Sequence, residues 1–403
     1  MRNVKKISYL EILLAVYIIS VVAISFIPGG NVISKLIGYV LAVSWLFEIL
    51  IFKRKVNITP EVIFFCCWLI FGILTMARSS DPSLSFARLL TIVQLVILLL
   101  VSVDILVAKK LDFIIFSYIV SVFYAAGIGF LQISNSNDLI RITGTLENAN
   151  AFGVAVLFAM VFLFYMALVT PKWFVKLVCY GAVGFLFVLL LRSGSRKAMI
   201  GVLAFPIIYL FVSGIAGIKK FSWKRTFFTI LTLFLCGYLV YHSPFWSRLH
   251  DALSVVRYRD TSLADASLSE RIQMFTLGFQ LFLQHPFLGI GIDNFGNYLS
   301  LSPETYSRFA YAHSNYIEVL ATTGAIGFTL YYAIYYTIFR RFLVIMKLPL
   351  LGKKDHTLLC VLLALFILII FLEFAMVSYA FKVVWLIFAI MIAFQRSVIR
   401  KMR

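Results

Sequence analysis

The run Tyr311-Ala312-His313-Ser314-Asn315-Tyr316 ends the longest segment between hydrophobic spans, which begins near Tyr241. The same segment contains the run Gly289-Ile290-Gly291-Ile292-Asp293-Asn294-Phe295 and five arginines: Arg248, Arg257, Arg259, Arg271 and Arg308. It is the one long stretch between spans that is not itself a span. The pattern predicts a hydrophobic scaffold that presents this segment, and two shorter connections, on one face of a membrane.

The rest of the chain is too apolar for a soluble protein. Of its 403 residues 62% are hydrophobic and 13% are charged, and apolar runs of about 20 residues, enough to cross a bilayer, recur along its length. A lipid-exposed span must satisfy its backbone hydrogen bonds internally, as a helix does. We therefore predict an all-α polytopic membrane protein, with one integral domain over 1–403 and a large, partly helical outward loop at 244–314.

Hydropathy predicts twelve spans, the third of them short and the last two separated only by a tight turn. They lie near 8–28, 32–52, 62–77, 88–107, 113–134, 151–169, 172–191, 198–217, 226–243, 315–339, 357–378 and 380–396. Most Lys and Arg residues fall in both termini and in connections at alternate span ends, as the positive-inside rule describes. Both termini are therefore expected in the cytoplasm, the first span acting as an uncleaved anchor.

The basic residues of the other connections are mostly arginine. They are Arg78, Arg88, Arg141, Arg192, Arg196, Arg248, Arg257, Arg259, Arg271 and Arg308. Topology requires only positive charge, whereas the planar guanidinium also binds phosphate or carboxylate through two hydrogen bonds. An anionic ligand on this face is one interpretation, and ordinary solvated loop arginines are the alternative for about half of them. The net charge of +19 is thus explained without nucleic acid as a partner.

Two further patterns concern metals and the long loop. All five cysteines fall within spans, and no Cys-x-x-Cys or His-x-x-x-His spacing occurs. We therefore predict no disulfide framework, no metal site and no cofactor.

Within the long loop, a helix is predicted from the run 268–271 to the stop at His285-Pro286, with its phenylalanines on one face. Packing against the membrane surface or the helix bundle explains that face.

Three outward connections share glycine, small polar residues and arginine. They contain Arg141, Gly144, Asn148, Asn150 and Gly153; Ser193, Gly194, Ser195 and Arg196; and Gly289, Gly291 and His313. Glycine permits close backbone approach, and helix N-termini beginning at these connections would add positive dipole. Together they predict a pocket for a phosphate-bearing ligand at the membrane surface.

His313 lies at the outer start of a span, close to Asn315, Tyr316 and Glu318. A histidine there can act as a general base or orient an acceptor hydroxyl. A structural hydrogen-bonding role is the alternative, and from spacing alone it is the commoner one. Glu318 is the residue that we expect to orient the histidine.

These motifs resemble those of the O-antigen ligase/O-antigen polymerase superfamily of bacterial membrane glycosyltransferases. The resemblance rests on Arg141-x-x-Gly144, Asn148-x-Asn150-x-x-Gly153, Ser193-Gly194-Ser195-Arg196, Gly289-x-Gly291-x-x-x-Phe295, His313-Ser-Asn315-Tyr316 and Gly324-x-x-Gly327. It is strongest over 141–327. It implies a metal-independent, inverting enzyme in the bacterial inner membrane, with its active site on the periplasmic or extracellular face.

The resemblance also implies roles for individual residues. The donor would be a glycan on undecaprenyl pyrophosphate, and the acceptor a hydroxyl of a lipid-linked glycan or of lipid A–core, with membrane lipids as the other partners. His313, Arg196 and Arg271 are the predicted catalytic residues. The predicted substrate-binding residues are Arg141, Asn148, Asn150, Ser195, Asn315, Tyr316, Glu318, Gly289 and Gly291.

Three functions remain open at this point. A polymerase would join lipid-linked repeats, and a ligase would attach the glycan to lipid A–core or to a protein; the same residues serve both. A lipid-linked oligosaccharide flippase is the more remote alternative. It predicts polar groups along an internal cavity and pseudo-symmetric halves, which the sequence does not show.

Overall fold

The computed structural model describes residues 7–53, 55–106, 111–134, 141–216, 237–238, 241, 266–301, 309–348 and 351–402. Over these ranges the chain forms helices and connections without a β-strand. The helices are α1 Tyr9–Ala23, α2 Gly30–Phe52, α3 Pro60–Thr75, α4 Pro82–Leu106, α5 Leu111–Ser134, α6 Ala149–Val169, α7 Trp173–Ser193, α8 Arg196–Ile215, α9 Ala266–Gln284, α10 Phe295–Leu301, α11 Asn315–Met346, α12 Lys353–Leu372 and α13 Lys382–Met402.

Ten of the described helices are long and apolar enough to cross a membrane: α2 to α8 and α11 to α13, with α3 extended by a short 3-10 turn. The predicted all-α polytopic membrane fold is confirmed. Of the twelve predicted spans, the first is the shorter α1, of 15 residues. The ninth, 226–243, lies almost wholly outside the described residues. Helix α9, predicted from its phenylalanine face and its Pro stop, is confirmed.

Two predicted boundaries are wrong. Helix α4 begins at Pro82, so Arg88 lies on the helix and not just before it. The last two spans are not separated by a tight turn, because α12 ends at Leu372 and α13 begins at Lys382. Residues 373–381 between them are apolar enough to extend a hydropathy span, yet they leave the helix and pack into the bundle.

Local sequence explains several of the helix ends. Ser8 and Glu11 form a capping box at the start of α1, in which each side chain bonds the backbone amide of the other. Thr59 caps α3, whose first residue is Pro60, a position that needs no amide donor. Gly194 ends α7 in the left-handed conformation, with φ 60°.

Helix ends meet at two opposite faces of the bundle. At one, called the site face below, contacts join the ends of α3, α7 and α12 to the starts of α4, α6, α8, α11 and α13. At the opposite face, Asp104 near the end of α4 accepts hydrogen bonds from Trp45 Nε1 at 2.8 Å and from the Asn57 amide at 3.0 Å. Arg400 near the end of α13 also bonds Asn57.

Candidate functional site

The loop before α10 is fixed to a break in α11. At Gly324 the backbone leaves the helix, with φ 63° and ψ −171°, which frees carbonyl oxygens on the preceding turn. The amides of Ile290 and Gly291 donate to the carbonyls at 321–322, both at 3.0 Å. In this way the long segment before α11 is tied by its backbone to the span that has His313 at its start.

Gly289 and Gly291 are required by this docking. Both have positive φ, 69° and 95°, which favours glycine. A Cβ on Gly289 would lie 2.4 Å from the Thr322 carbonyl carbon, and one on Gly291 would lie 2.1 Å from Ser79 Oγ. The structure thus gives both glycines a packing role. Their predicted contact with substrate stays a prediction.

Asn294 joins the same loop to the connection between α3 and α4. Its Oδ1 accepts hydrogen bonds from Ser80 Oγ at 2.9 Å and from the Asp81 amide at 2.8 Å, and its Nδ2 donates to Ser85 Oγ at 2.8 Å. The side chain is fully buried, so these bonds replace those it would make with water. This contact holds the start of α4 beside the loop.

An ion pair between half-buried Arg88 and buried Asp293 lies next to that contact. Arg88 on α4 bonds Asp293 at 3.0 Å and donates to the Tyr311 hydroxyl at 2.5 Å. Its guanidinium lies over the rings of Tyr311 and Tyr379, 5.5 and 5.7 Å from their centroids. The Tyr379 hydroxyl in turn donates to Asp293 at 3.2 Å. Burial raises the pKa of the Asp293 carboxyl, and the guanidinium of Arg88 acts against that rise.

His313 is exposed and lies two residues before α11 in the left-handed region, with φ 54°. This conformation is uncommon for a residue with a side chain and must be held by its surroundings. The adjoining Ala312 amide donates to Glu318 Oε2 at 2.8 Å, and the Glu318 side chain is fully buried. Glu318 therefore orients the histidine at least through the backbone that precedes it.

The other side of His313 is held by Asn315. Its Oδ1 accepts hydrogen bonds from the amides of Ser378 and Tyr379 at 2.9 and 3.0 Å, and its Nδ2 donates to the Tyr332 hydroxyl at 3.0 Å. The Asn315 amide also donates to the Glu373 carbonyl at 2.9 Å. The side chain is fully buried, so its polar atoms are used within the protein. Its predicted contact with sugar or phosphate stays a prediction.

Glu373 lies under the same connection. Its carboxylate accepts hydrogen bonds from the hydroxyls of Tyr332, Tyr335 and Ser378 and is fully buried. Burial raises the pKa of Glu373 to about 7, although these three donors act in the other direction. Tyr316, a predicted substrate-binding residue, stacks on the Tyr332 ring and donates to a backbone carbonyl of α12.

We call this set of residues the histidine region: Arg88, Asp293, Tyr311, His313, Asn315, Glu318, Glu373 and Tyr379. The sequence predicted His313, Asn315 and Glu318 as site residues. It marked Arg88 only as one of the arginines expected on the outer face, without a role in the site. The pairing of Arg88 with Asp293 gave no signal, because 205 positions separate the two residues.

The predicted residues of the first two connections form a second group. Arg141 Nε donates to the Ser193 carbonyl at 2.8 Å, and its Nη2 lies 3.3 Å from Asn150 Oδ1 and 3.4 Å from the Gly194 carbonyl. Its guanidinium therefore binds the carbonyl oxygens at the C-terminal end of α7, where the helix dipole is negative. Asn148 caps α6 and accepts from the amides at 150 and 151.

The start of α8 completes this group. Ser195 is fully buried against Gly153, where an added Cβ would lie 2.6 Å from the Ser195 Cβ. Arg196 and Lys197 follow it, half-buried. Lys197 near the start of α8 and Arg271 near the start of α9 are close enough for their positive charges to interact. We call Arg141, Asn148, Asn150, Ser195, Arg196, Lys197 and Arg271 the arginine region.

Helix α9 connects the two regions. Near its start it carries Arg271, and further along Gly278 packs so closely on α11 that a Cβ would lie 2.2 Å from Ile317 Cγ2. Arg271 and Gly278 are about 10 Å apart along the helix axis. The structure thus brings the predicted residues of all three connections to one face. The other loop arginines, Arg248, Arg257, Arg259 and Arg308, lie outside the described residues.

Part of the chain matches a known family. Residues 181–332 match the family model described as O-antigen ligase. No curated protein matches the chain. The matched range contains Ser195, Arg196, Arg271 and His313, and the resemblance drawn from the motifs is thereby confirmed. It supports a membrane glycosyltransferase of the O-antigen ligase/polymerase type.

Proposed function

We propose that the chain is a member of the O-antigen ligase/polymerase superfamily, on the basis of the match over residues 181–332, and that it polymerises a lipid-linked polysaccharide. It transfers a glycan from an undecaprenyl-pyrophosphate donor to a hydroxyl of a second lipid-linked glycan. The site face is the outer face of the bacterial cytoplasmic membrane, and both termini are cytoplasmic. A ligase that uses lipid A–core or a protein hydroxyl as acceptor is the second candidate.

The observation that carries the proposal is the placement of His313. Its exposed side chain stands at the start of a span, and the bonds of Glu318 and Asn315 to the neighbouring backbone hold it there. Its position suits a general base that takes a proton from an acceptor hydroxyl. The hydroxyl oxygen then attacks the anomeric carbon, and the bond from that carbon to the pyrophosphate breaks on the opposite side, with inversion.

The leaving pyrophosphate takes the electron pair of the broken bond and must have its charge neutralised. We assign that task to Arg196 and Arg271, with Arg141 holding the glycan or the phosphate beside them. Arginine suits it because its planar fork binds phosphate oxygens in pairs. Neutralisation by these side chains makes the reaction independent of a metal ion in this proposal.

The structure also suggests a division of labour among the predicted residues. Asn315, Glu318, Gly289 and Gly291 bond or pack within the protein, so we assign them to positioning His313 and the loop before α10. Asn148 and Asn150 lie at the exposed start of α6, where they can reach a ligand. Ser195 is buried behind them.

The test is glycan transfer by the purified protein in lipid vesicles, with EDTA present. Undecaprenyl-pyrophosphate-linked repeats are supplied alone and then with lipid A–core. A ladder of products from repeats alone is the expected result. A single shifted product that requires lipid A–core would establish a ligase. If nothing is transferred and the donor crosses the bilayer, the protein is a flippase and the proposal fails.

A further inference from the structure

A groove between α1, α2, α4 and α13 lies apart from both regions of the candidate site. It is a partly open cleft with a mainly apolar lining. Lys35 of α2 and Lys382 of α13 line it, together with Gln94 of α4. Neither lysine was assigned a role by the sequence.

The two lysines have no counter-ion in the part of the chain that the structure describes. Each is close enough to the other for their positive charges to interact unfavourably. A single lysine near a helix end is explained by extension of its ammonium to the membrane surface. Two that converge on one apolar groove bring like charges together, and an anionic ligand would relieve that repulsion.

The groove is charged at one end and apolar along its length. Lys382 is the first residue of α13, and Lys35 is about 7 Å into α2 along the helix axis. Gln94 lies about 18 Å into α4, and the lining continues beyond it to Val101. Helices α4 and α13 begin at the site face, and α2 begins just after the end of α1, where the Val22 carbonyl accepts a hydrogen bond from Thr145 Oγ1 near the start of α6. The cationic end is therefore close to the membrane surface, and the apolar part extends toward its middle. A lipid with a phosphate head and a long chain has the same distribution.

The cationic end is adjacent to the histidine region through two short connections. Tyr379, which bonds Asp293, is three residues before Lys382, a span of about 11 Å at most. Along α4, Arg88 lies six residues before Gln94, which is about 9 Å. The arginine region, in contrast, is built on α6, α7, α8 and α9. The groove and the arginine region are therefore different sites that both adjoin the histidine region.

We propose that this groove binds the polyprenyl pyrophosphate part of the lipid-linked acceptor, an inference that rests on the proposed polymerase function. A polymerase must hold two lipid-linked glycans at once. The donor pyrophosphate becomes a leaving group, so it needs the paired hydrogen bonds of arginine. The acceptor pyrophosphate keeps its bonds and its charge, so the point charges of two lysines are sufficient. The apolar groove receives its isoprenoid chain.

The experiment measures binding, independently of turnover. The full-length protein in phosphatidylcholine nanodiscs is titrated with undecaprenyl monophosphate, and bound lipids are counted by native mass spectrometry. We expect two bound lipids in the wild type. In the double variant Lys35→Ala/Lys382→Ala, one of them should bind at least about tenfold more weakly, because each lysine near the surface adds substantially to the binding of an anionic headgroup.

Two further variants make the result specific. Ala42→Phe fills the groove without changing charge and should weaken the same site. Lys172→Ala removes an exposed lysine at the start of α7, on the opposite face, and should change nothing. Wild-type affinity for two lipids in the double variant would overturn the site. Equal occupancy by phosphatidylglycerol would overturn the acceptor assignment in favour of bulk phospholipid.

Failure of this inference differs from failure of the proposed function. If the double variant loses one lipid but the wild type transfers no glycan, the groove stands and the function is wrong. If the wild type forms a ladder and the double variant binds and polymerises equally well, the function stands and the groove assignment is wrong.

Discussion

The histidine and arginine regions occupy the same face but are built differently. In the histidine region, charges are buried or half-buried and bonded to one another, as in the pair of Arg88 and Asp293. Its exposed members are Tyr311 and His313, the latter in a left-handed conformation. In the arginine region, Arg141 is exposed and bonds backbone carbonyls and an amide side chain, and Arg271 is half-buried near another cation.

This difference separates two tasks of a transferase. A proton acceptor must be placed within a hydrogen bond of one hydroxyl, which demands rigid support. A pyrophosphate with a variable glycan needs accessible positive charge more than fixed geometry. In the proposed function, the histidine region performs the first task and the arginine region performs the second. Variants of the histidine region and variants of the arginine region should therefore differ in their effects on transfer rate and on donor binding.

The largest expected effect is that of His313→Ala. Loss of a general base should reduce the transfer rate by about 100-fold or more, with folding and donor binding unchanged because the side chain is exposed. Rates and donor affinity are measured on the same purified protein. His285→Ala is the matched control, since that histidine also lies on the long segment before α11 but contacts Arg78 at 3.0 Å. Similar losses in both variants would contradict the assignment.

The next effect is on folding. Arg88→Met leaves the buried Asp293 carboxylate without its counter-ion, which should lower the free energy of unfolding by about 3–5 kcal/mol. The double variant Arg88→Met/Asp293→Asn removes both charges and should recover a large part of this loss. Thermal unfolding in detergent measures both. A single variant as stable as the wild type would show that the ion pair does not hold α4 to the loop.

Glu373 makes stability depend on pH. Its pKa is about 7 in the folded protein against an ordinary value of 4.5. Between these values the folded state holds a proton that the unfolded state releases, so stability is greatest at low pH and decreases as pH rises toward 7. The loss amounts to about 3 kcal/mol across the window.

The measurement for Glu373 is the unfolding temperature at pH 5 and at pH 7.5. The wild type should be less stable at the higher pH, and Glu373→Gln should reduce that difference because it cannot ionise. An equal pH dependence in the two proteins would mean that other groups cause it.

The histidine region also shows what the sequence can predict. Helix α9 could be predicted because its apolar face and the proline that ends it are both local features of the sequence. Residues 373–381 were misread as parts of two spans because they are apolar, whereas their non-helical conformation depends on Asn315 and Tyr332, 41 or more positions away in the chain. The pairing of Arg88 with Asp293 could not be predicted either, because the two residues are far apart in the chain. His313 was predictable because its neighbours in sequence form part of its motif.

The smallest expected effect distinguishes charge from geometry in the arginine region. Arg271→Lys keeps the positive charge but replaces the planar fork by an ammonium, so it should lower transfer by about tenfold if the guanidinium binds pyrophosphate through two bonds. Arg78→Lys is the control, because Arg78 bonds His285 and not the arginine region. The loss should appear in the rate of transfer more than in donor affinity, since the charge of pyrophosphate increases as it leaves.

Full activity in Arg271→Lys would mean that accessible charge alone is sufficient there. The two regions would then differ more clearly, because only the histidine region would require exact placement of its side chains. A loss as large as that of His313→Ala would weaken the contrast instead, because Arg271 would then need placement as exact as that of the base. Since Arg271 lies about 10 Å along α9 from the contact with α11, such a result would indicate that α9 transmits the rigidity of one region to the other. Gly278→Ala, which disturbs that contact, should then produce the same loss.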